Sequence, residues 1–215
     1  MKSALITIGS TREFIDPVRY ISNESSGAQG TAIIKELVKN KIKTTCICGH
    51  ISVKKIRSSY VRYIDITTAK EMLIHARKNS EEVDIAIFNA AVSDYRVKSI
   101  KKNKIKKNNY LNLELVKNPD ILLSISKMKK RPKLIVGFAF ETNRHKFYAK
   151  KKLIDKNCDF LILNYPKKNT KIFGDKKNNG YLIDRNLNWF NLGTMNKNNF
   201  AKKIIKLIIL NNNKL

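Results

Sequence analysis

Cysteine, glycine-rich phosphate motifs and long apolar runs are all scarce in this sequence, and each scarcity excludes a class of protein. The three cysteines are an odd number, which does not favour a disulfide framework in a chain of 215 residues. The apolar runs near residues 4–8 and 204–210 are too short to cross a membrane or to form a secretory signal. We therefore expect a soluble cytoplasmic protein.

Acidic residues are also scarce, since 17 of them face 44 basic residues and leave a net charge of +27. Such a charge indicates either a nucleic-acid-binding module or a lysine-rich surface exposed to solvent. The lysines are scattered and form no stripe with interleaved aromatic residues, so we favour the second explanation. A positive field would also attract polyanionic small molecules such as nucleotides.

Short apolar runs alternate with helix-like segments along the chain. The patterns predict strands at 4–8, 44–48, 61–64, 83–88, 134–138 and 160–163, and helices at 26–39, 68–78, 119–127, 144–156 and 198–210. This order predicts one α/β domain over residues 1–215, with a Rossmann-like, mostly parallel sheet and helices on both faces. Ligands bind such sheets beyond the carboxyl ends of the strands, so the loops after Ile8, Phe88 and Phe138 should meet.

Two segments depart from this alternation. Residues 97–117 are rich in lysine and asparagine and become strand-like at 110–116, which predicts a projecting flap. Residues 164–179 form a long polar segment, and strands are predicted after it near 181–184 and 188–191.

Cys46 and Cys48 alternate within a predicted strand, so both side chains should lie on one face of it. With His50 nearby, one interpretation of the pair is a metal site. The spacing lacks a second pair of ligands, so we favour structural cysteines.

The segment GSTREFIDPVRYISNESSGAQG, residues 9–30, has the organisation of a phosphate site without a P-loop or a GxGxxG motif. It follows an apolar strand and leads into a helix, whose free N–H groups and dipole favour an anion. Its loop carries Thr11, Arg12, Arg19 and Asn23, which are side-chain types that bind phosphate and carboxylate oxygens.

Three further motifs lie at predicted strand ends or in the flap. AAVSDYR, residues 90–96, brings small residues and the carboxylate of Asp94 to the end of a strand. KIKK, residues 104–107, would alone be read as solvated surface, and VKNPDI follows it at 116–121. GFAFET, residues 137–142, ends another strand, and Lys152 and Lys156 then share one helix face.

In order and spacing, these motifs resemble those of phosphopantothenoylcysteine synthetases, from residue 4 to about residue 174. The resemblance implies activation of 4′-phosphopantothenate by CTP, with release of pyrophosphate. The amine of L-cysteine then attacks the acyl-cytidylate and CMP leaves. Mg²⁺ is implied as well, without assigned ligands, and ATP stays open as the nucleotide because other branches of the family use it.

The resemblance also implies roles for individual residues. Lys104 and Asn23 would be catalytic, and Arg19, Asn23 and Ala91 would bind the acyl substrate. The implied nucleotide-binding residues are Ala90, Asp94, Lys104, Pro119, Asp120, Ile121, Leu122, Phe138, Lys152 and Lys156. The family further implies a homodimer and a separate or fused phosphopantothenoylcysteine decarboxylase. The sequence leaves open whether this chain is a free-standing enzyme or part of a bifunctional protein.

The chain departs from the common family pattern at several positions. Phe14 replaces a proline, and Ala28-Gln29 stands where Lys-Met is common. Asn164-Tyr165 stands where Asn-Asp is frequent.

An alternative interpretation of the sequence is an NAD(P)-dependent, Rossmann-type reductase. Tyr148 and Lys152 match the YxxxK pattern of short-chain dehydrogenases. Those enzymes need a glycine-rich turn after the first strand, where this chain has only Gly9.

Overall fold

Strands and helices alternate along most of the chain, and a computed structural model describes residues 1–81, 83–166 and 177–211. The strands are β1 (Ser3–Ile8), β2 (Glu13–Phe14), β3 (Tyr20–Ile21), β4 (Lys43–Cys48), β5 (Val61–Asp65), β6 (Ile85–Phe88), β7 (Tyr95–Val97), β8 (Leu115–Lys117), β9 (Leu134–Phe140), β10 (Phe160–Asn164), β11 (Lys177–Asp184) and β12 (Trp189–Asn196). The helices are α1 (Ala28–Lys39), α2 (Ala69–Ser80), α3 (Ile121–Ser126), α4 (His145–Asp155) and α5 (Lys197–Asn211).

The central sheet has eight strands in the order β12-β11-β10-β9-β6-β1-β4-β5. The strands from β10 to β5 in this order are parallel, with Ala4 of β1 opposite Thr44 on one side and Ile85 on the other. Strands β11 and β12 add an antiparallel edge. The prediction of a mostly parallel α/β sheet is therefore confirmed.

Each face of the sheet has its own hydrophobic core, because the helices cover both faces. Helices α1 and α5 pack on one face, where Ile33 and Phe200 are fully buried among strand residues such as Ile6. Helices α2, α3 and α4 cover the other face, with Met72 and Ile125 at its centre. Strands buried on both sides read as continuous apolar runs, which explains the sequence of β1.

The ends of the helices follow from local hydrogen bonds and sterics. Helix α1 begins at Ala28, two residues later than predicted, because Gly27 before it has a φ of +73°. A Cβ atom on Gly27 would lie 2.2 Å from the Cγ2 atom of Ile51, so only glycine fits there. Thr68 caps α2 by accepting a hydrogen bond from the amide of Glu71 at 3.2 Å.

The flap differs from its prediction. Only Leu115–Lys117 form a strand, paired with Tyr95–Val97, and the predicted strand over 110–116 is wrong for its first five residues. The last bond of this pairing joins the amide of Lys98 to the carbonyl of Glu114. Beyond Lys98 the chain turns away from residues 110–114, and the amide of Lys101 donates to the carbonyl of Ile15 instead. The alternating leucines of this segment stay exposed.

The polar segment predicted over 164–179 is shorter at both ends. Asn164 is the last residue of β10, and β11 already begins at Lys177, so both belong to the sheet. Residues 167–176 of that prediction lie outside the described part of the chain.

Cys46 and Cys48 are both buried in the core beneath α1 and α5, so the prediction that they share one strand face is confirmed. Within the described residues, no group of three or more His, Cys, Asp or Glu side chains is arranged to hold a metal ion. Likewise, none of the helices described has both the length and the apolar composition that a membrane crossing demands.

Candidate active site

A cleft of about 950 Å³ opens at the carboxyl edge of the parallel strands. Its wall includes residues 22–29 after β1, residues 89–92 after β6, residues 138–140 at the end of β9 and residues 164–166 at the end of β10. The loops predicted after Ile8 and Phe88 therefore meet at this edge. The third loop was predicted to begin too early, because Phe138 lies within β9 and the strand itself reaches the cleft. The volume is near the top of the range of roughly 300–1,000 Å³ typical of small-molecule sites, and it leaves room for more than one substrate.

The loop after β1 is held to the rest of the edge by backbone contacts. The amide of Ser10 donates to the carbonyl of His50 at 3.0 Å, and the amide of Thr11 donates to the carbonyl of Ala91 at 3.3 Å. Gly9 has a φ of +76°, and a Cβ atom there would lie 2.5 Å from the carbonyl oxygen of His50. Glycine at this position lets the loop turn along the edge of the sheet.

Asn23 lies in the cleft wall opposite the loop after β6. Its Nδ2 donates to the carbonyl of Val92 at 2.9 Å, which joins the loop after β1 to the loop after β6. Ala90 and Ala91 line the cleft beside it, and their small side chains leave the backbone open to a ligand. The structure thus brings three predicted site residues together.

Asp94 places an exposed carboxylate on the rim of the cleft. Its backbone carbonyl accepts a hydrogen bond from the amide of Asn118 at 2.8 Å, and the Nδ2 of Asn118 donates to the carbonyl of Ser93 at 2.8 Å. These bonds tie the segment before α3 to the cleft. Glu24 contributes a second carboxylate to the cleft wall.

Lys152 lines the cleft from α4, and burial lowers the pKa of its ammonium group. The charge of Glu141 raises that pKa, and the charge of Lys156 lowers it further. Lys156 lies outside the cleft wall, and its Nζ forms an ion pair with the carboxylate of Asp120. The two lysines share a helix face, as the sequence spacing predicts, but they have different partners.

Phe138 is half-buried at the end of β9 and lines the cleft, together with the more exposed Phe140. The other predicted nucleotide contacts, at the start of α3, do not line it. Asp120 caps α3 by accepting from the amide of Leu123 at 2.9 Å. Ile121 and Leu122 are buried in the core below. Pro119, which precedes this cap, is likewise outside the wall.

Arg19 and Lys104 also lie outside the cleft wall, where Arg19 connects the loop after β1 to the flap. Its Nη2 forms an ion pair with Asp16 at 2.8 Å and donates to the carbonyl of Ile105 at 2.6 Å. The amide of Ile105 also donates to Oδ2 of Asp16 at 3.1 Å, which adds a second contact between the loop and the flap. Lys104, next to this anchor, is exposed.

Comparison with known proteins places the chain in a family. The profile described as "DNA/pantothenate metabolism flavoprotein C-terminal domain" matches residues 1–211. The chain belongs to this family.

Curated relatives of the family member agree with this assignment. The Coenzyme A biosynthesis bifunctional protein CoaBC of Borreliella burgdorferi is 39% identical over 210 residues, which cover 96% of this chain and 52% of that protein. CoaBC of Escherichia coli K12 is 38% identical over 178 residues, covering 81% and 43% respectively. The chain spans about half the length of the curated relatives it matches.

Solved structures of the family have the same architecture. The crystal structure of the C-terminal domain of CoaBC matches with a TM-score of 0.83 and 29% identity, over 100% of this chain and 97% of that one. A Cab2 mutant in complex with phosphopantothenate-cysteine matches with a TM-score of 0.76 over 99% and 87%. Its identity of 17% shows a shared fold alone.

Three cleft residues in this family member were missed by sequence reasoning: Gln29 at the start of α1, Asn164 at the end of β10 and Asn178 in β11. The Nδ2 of Asn178 donates to Oε1 of Gln29 at 2.7 Å, across 149 positions of the chain. One signal in the sequence could have identified Gln29, namely that it replaces the Met common in the family. This replacement was not given a role.

Proposed function

We propose that this chain is a phosphopantothenate–cysteine ligase of coenzyme A biosynthesis. The observation that carries the proposal is one cleft, in a chain of this family, that gathers Asn23, Ala91, Asp94, Phe138 and Lys152 from four separate segments. These are residues to which the motif resemblance assigns substrate and nucleotide contacts. The names of the relatives, which concern coenzyme A biosynthesis, support the same activity.

In the proposed first step, a carboxylate oxygen of 4′-phosphopantothenate attacks the α-phosphorus of CTP. The carboxylate oxygen forms a bond to the α-phosphorus. The bond from the α-phosphorus to the oxygen that bridges to the β-phosphate breaks, and pyrophosphate leaves with that oxygen. In the second step, the amine of L-cysteine attacks the acyl carbon, loses a proton and displaces CMP. ATP remains the alternative nucleotide.

The first step brings two anions together, so its catalysis consists chiefly of positioning and of cationic stabilisation. Lys152 supplies a cation within the cleft, and Ala90, Asp94 and Phe138, the proposed nucleotide contacts, line the same cleft. Lys156, with Asp120, would extend this positive region, and Pro119, Ile121 and Leu122 would shape it from the start of α3. Asn23 would hold the acyl intermediate through amide hydrogen bonds, beside Ala91.

Mg²⁺ suits the oxygen donors of this cleft. The metal prefers oxygen ligands and is commonly held by one or two carboxylates together with substrate phosphates. Asp94 and Glu24 are carboxylates in the cleft wall. When bound, the metal would offset the negative charge of the triphosphate.

Lys104 and Arg19 are assigned less directly, because neither lines the cleft. Lys104 would reach the pyrophosphate when the flap approaches a cleft, either its own or that of a second copy in a homodimer. Arg19 would bind the phosphate or carboxylate of the acyl substrate. Since its guanidinium already contacts Asp16 and Ile105, this role requires release of the flap contact.

The test is release of pyrophosphate by the purified protein with 4′-phosphopantothenate, L-cysteine and Mg²⁺, using CTP and ATP separately. Release that requires phosphopantothenate supports the ligase, and the preferred nucleotide identifies the branch. No release from folded protein with either nucleotide contradicts the proposal. Saturable NADPH binding without release would favour the reductase alternative.

Lys104→Gln tests the role of the flap. We expect this variant to keep the wild-type melting temperature, because Lys104 is exposed, and to lose turnover by at least about a hundredfold, as expected for loss of a group that stabilises developing charge. Lys102→Gln is the matched control, since it removes an exposed lysine from the same flap. Equal rates for the two variants would remove the flap lysine from the mechanism.

A further inference from the structure

Gln29 carries a buried hydrogen-bond donor for which the described part of the chain offers no acceptor. The residue exposes only 9% of its surface in the first turn of α1. Its Oε1 accepts from Nδ2 of Asn178 at 2.7 Å, and this contact fixes the orientation of the amide. The Nε2 group is therefore the remaining donor, and it finds no partner among the described residues. Buried polar groups in native proteins are nearly always paired, so this one needs an explanation.

Asn164 presents the opposite case, because its buried Oδ1 is an acceptor for which the described residues supply no donor. Its Oδ1 has no partner in the described part of the chain, although the residue lines the same cleft as Gln29. Asn164 lies opposite Gly180 of β11, two positions from Asn178. The two unpaired atoms thus border one corner of the cleft, and β11 connects them.

Both residues lie on the face of the sheet that α1 covers. Side chains of a strand alternate between faces, and Ile162, two positions before Asn164, belongs to the core beneath α1 and α5. Phe138 lies opposite Ile162 on the neighbouring strand and packs against the same core. An apolar ring therefore borders the corner that holds one unpaired donor and one unpaired acceptor.

We propose that Gln29 and Asn164 bind the edge of the nucleobase, with its flat face near Phe138. This inference rests on the proposed function and deepens it. Cytosine and adenine both place an amino group next to a ring nitrogen that accepts a hydrogen bond. Oδ1 of Asn164 accepts from the amino group, and Nε2 of Gln29 donates to the ring nitrogen. Uracil presents a carbonyl and an N–H in those places, so the pair selects against UTP.

Neither unpaired atom is exposed to solvent, so a base must draw the amides toward the cleft. The terminal torsions of glutamine and asparagine are broad, and a modest rotation brings either group to the cleft wall. Binding then supplies the missing partners. The gain is larger than for amides that water already satisfies.

The test is calorimetric binding of Mg-CTP, Mg-ATP and Mg-UTP to the full chain. We expect the wild type to prefer CTP or ATP over UTP. Gln29→Met, which is close in size, and Asn164→Ala should each weaken binding of the preferred nucleotide about tenfold, and of UTP by less than about twofold. Asn188→Ala is the control, because its amide bonds Asp184 at 2.9 Å away from the cleft and should change neither affinity.

Each other outcome overturns the proposal. An unchanged nucleotide preference in Gln29→Met, with pyrophosphate release intact, refutes base reading and leaves the ligase standing. A raised KM for phosphopantothenate with unchanged nucleotide Kd assigns the amides to the acyl substrate instead. Absence of nucleotide binding in the wild type removes both proposals. A melting curve monitors folding, and Gln29→Met decides the matter if Asn164→Ala does not fold.

Discussion

Asp16 is a single buried carboxylate that organises two loops. Its Oδ1 accepts from the amides of Val18 at 2.8 Å and Arg19 at 2.9 Å, while Oδ2 accepts from the amide of Ile105. Burial acts to raise its pKa, but the backbone hydrogen bonds and the charge of Arg19 outweigh burial and lower the pKa to about 2. The flap therefore rests on a group that stays ionised in mild acid.

Asp16→Asn should lower the melting temperature at pH 7 by several degrees, because the neutral amide loses the charge that Arg19 and the amides stabilise. A lowered pKa in the folded state contributes stability that is complete above the unfolded value near 4 and is lost as pH falls toward about 2. The gap between wild type and variant should therefore narrow between these pH values.

Thermal melts across that range measure the gap. Asp155→Asn, which changes an exposed carboxylate on α4, is the control and should follow the wild type. A gap independent of pH would show that the loss is one of packing rather than of charge.

At the residue scale, the sequence predicted which side chains lie close together. It did not predict the hydrogen bonds that their individual atoms form. Asn23, Ala90 and Phe138 were brought together as predicted, because strand ends in a parallel sheet share one edge. The contact of Arg19 with Ile105 depends on which distant segments become neighbours. So do the two buried atoms, Nε2 of Gln29 and Oδ1 of Asn164, that find no partner among the described residues. No local pattern encodes that.

Among the elements, α2 has the most complete N-terminal cap. Thr68 accepts from the amide of Glu71, the carboxylate of Glu71 accepts from the amide of Thr67 at 2.8 Å, and Glu13 accepts from the amide of Ala69 at 2.8 Å. Two of the free donors of the helix start, the amides of Ala69 and Glu71, are thereby used, and the amide of Thr67 before the cap is paired as well. The cap also holds the loop after β1, since Glu13 belongs to that loop.

Thr68→Ala should lower the free energy of unfolding by about 1 kcal/mol, the usual cost of removing a capping hydroxyl. Urea denaturation followed by circular dichroism measures the change. Thr68→Ser keeps the hydroxyl and should stay close to the wild type. An equal loss in both variants would point to the methyl group of Thr68 rather than to the cap.

Element types were predictable where burial imposes a period, and element ends were not. The buried strands and the helices were found because apolar residues recur at fixed spacing. The false strand at 110–114 shows the limit of this reasoning, since its alternating leucines have no paired neighbour and remain exposed. Alternation reports a shared face, and pairing needs a partner strand.

Over the whole molecule, exposed apolar side chains gather on the flap. Tyr110 exposes 82% of its surface and Ile100 exposes 63%, and Leu111 and Leu113 of the same segment are also exposed. Large apolar side chains exposed close together in the sequence are a candidate protein interface. It agrees with the proposed homodimer, in which each flap would contact the second copy.

Sedimentation should give about twice the chain mass of 24.8 kDa. Replacing Tyr110 and Leu111 together by serine should shift the protein toward monomer and reduce turnover, because the contact area is lost. Ile74→Ser, at a residue 55% exposed on α2, is the control and should leave the mass unchanged. A monomeric wild type, or a dimer unaffected by the flap variant, would contradict this interface.

The sheet order has a consequence for how the molecule comes into being. Ala4 pairs with Ile85, and the cleft takes its wall from the segments after β1 and β6 and from β9, β10 and β11, which are far apart along the chain. The long chain segments between these strands must close into loops, at a cost in conformational entropy, before the contacts between the strands can stabilise the fold. The cleft is thus a late product of folding that belongs to the assembled sheet and to no shorter stretch of chain.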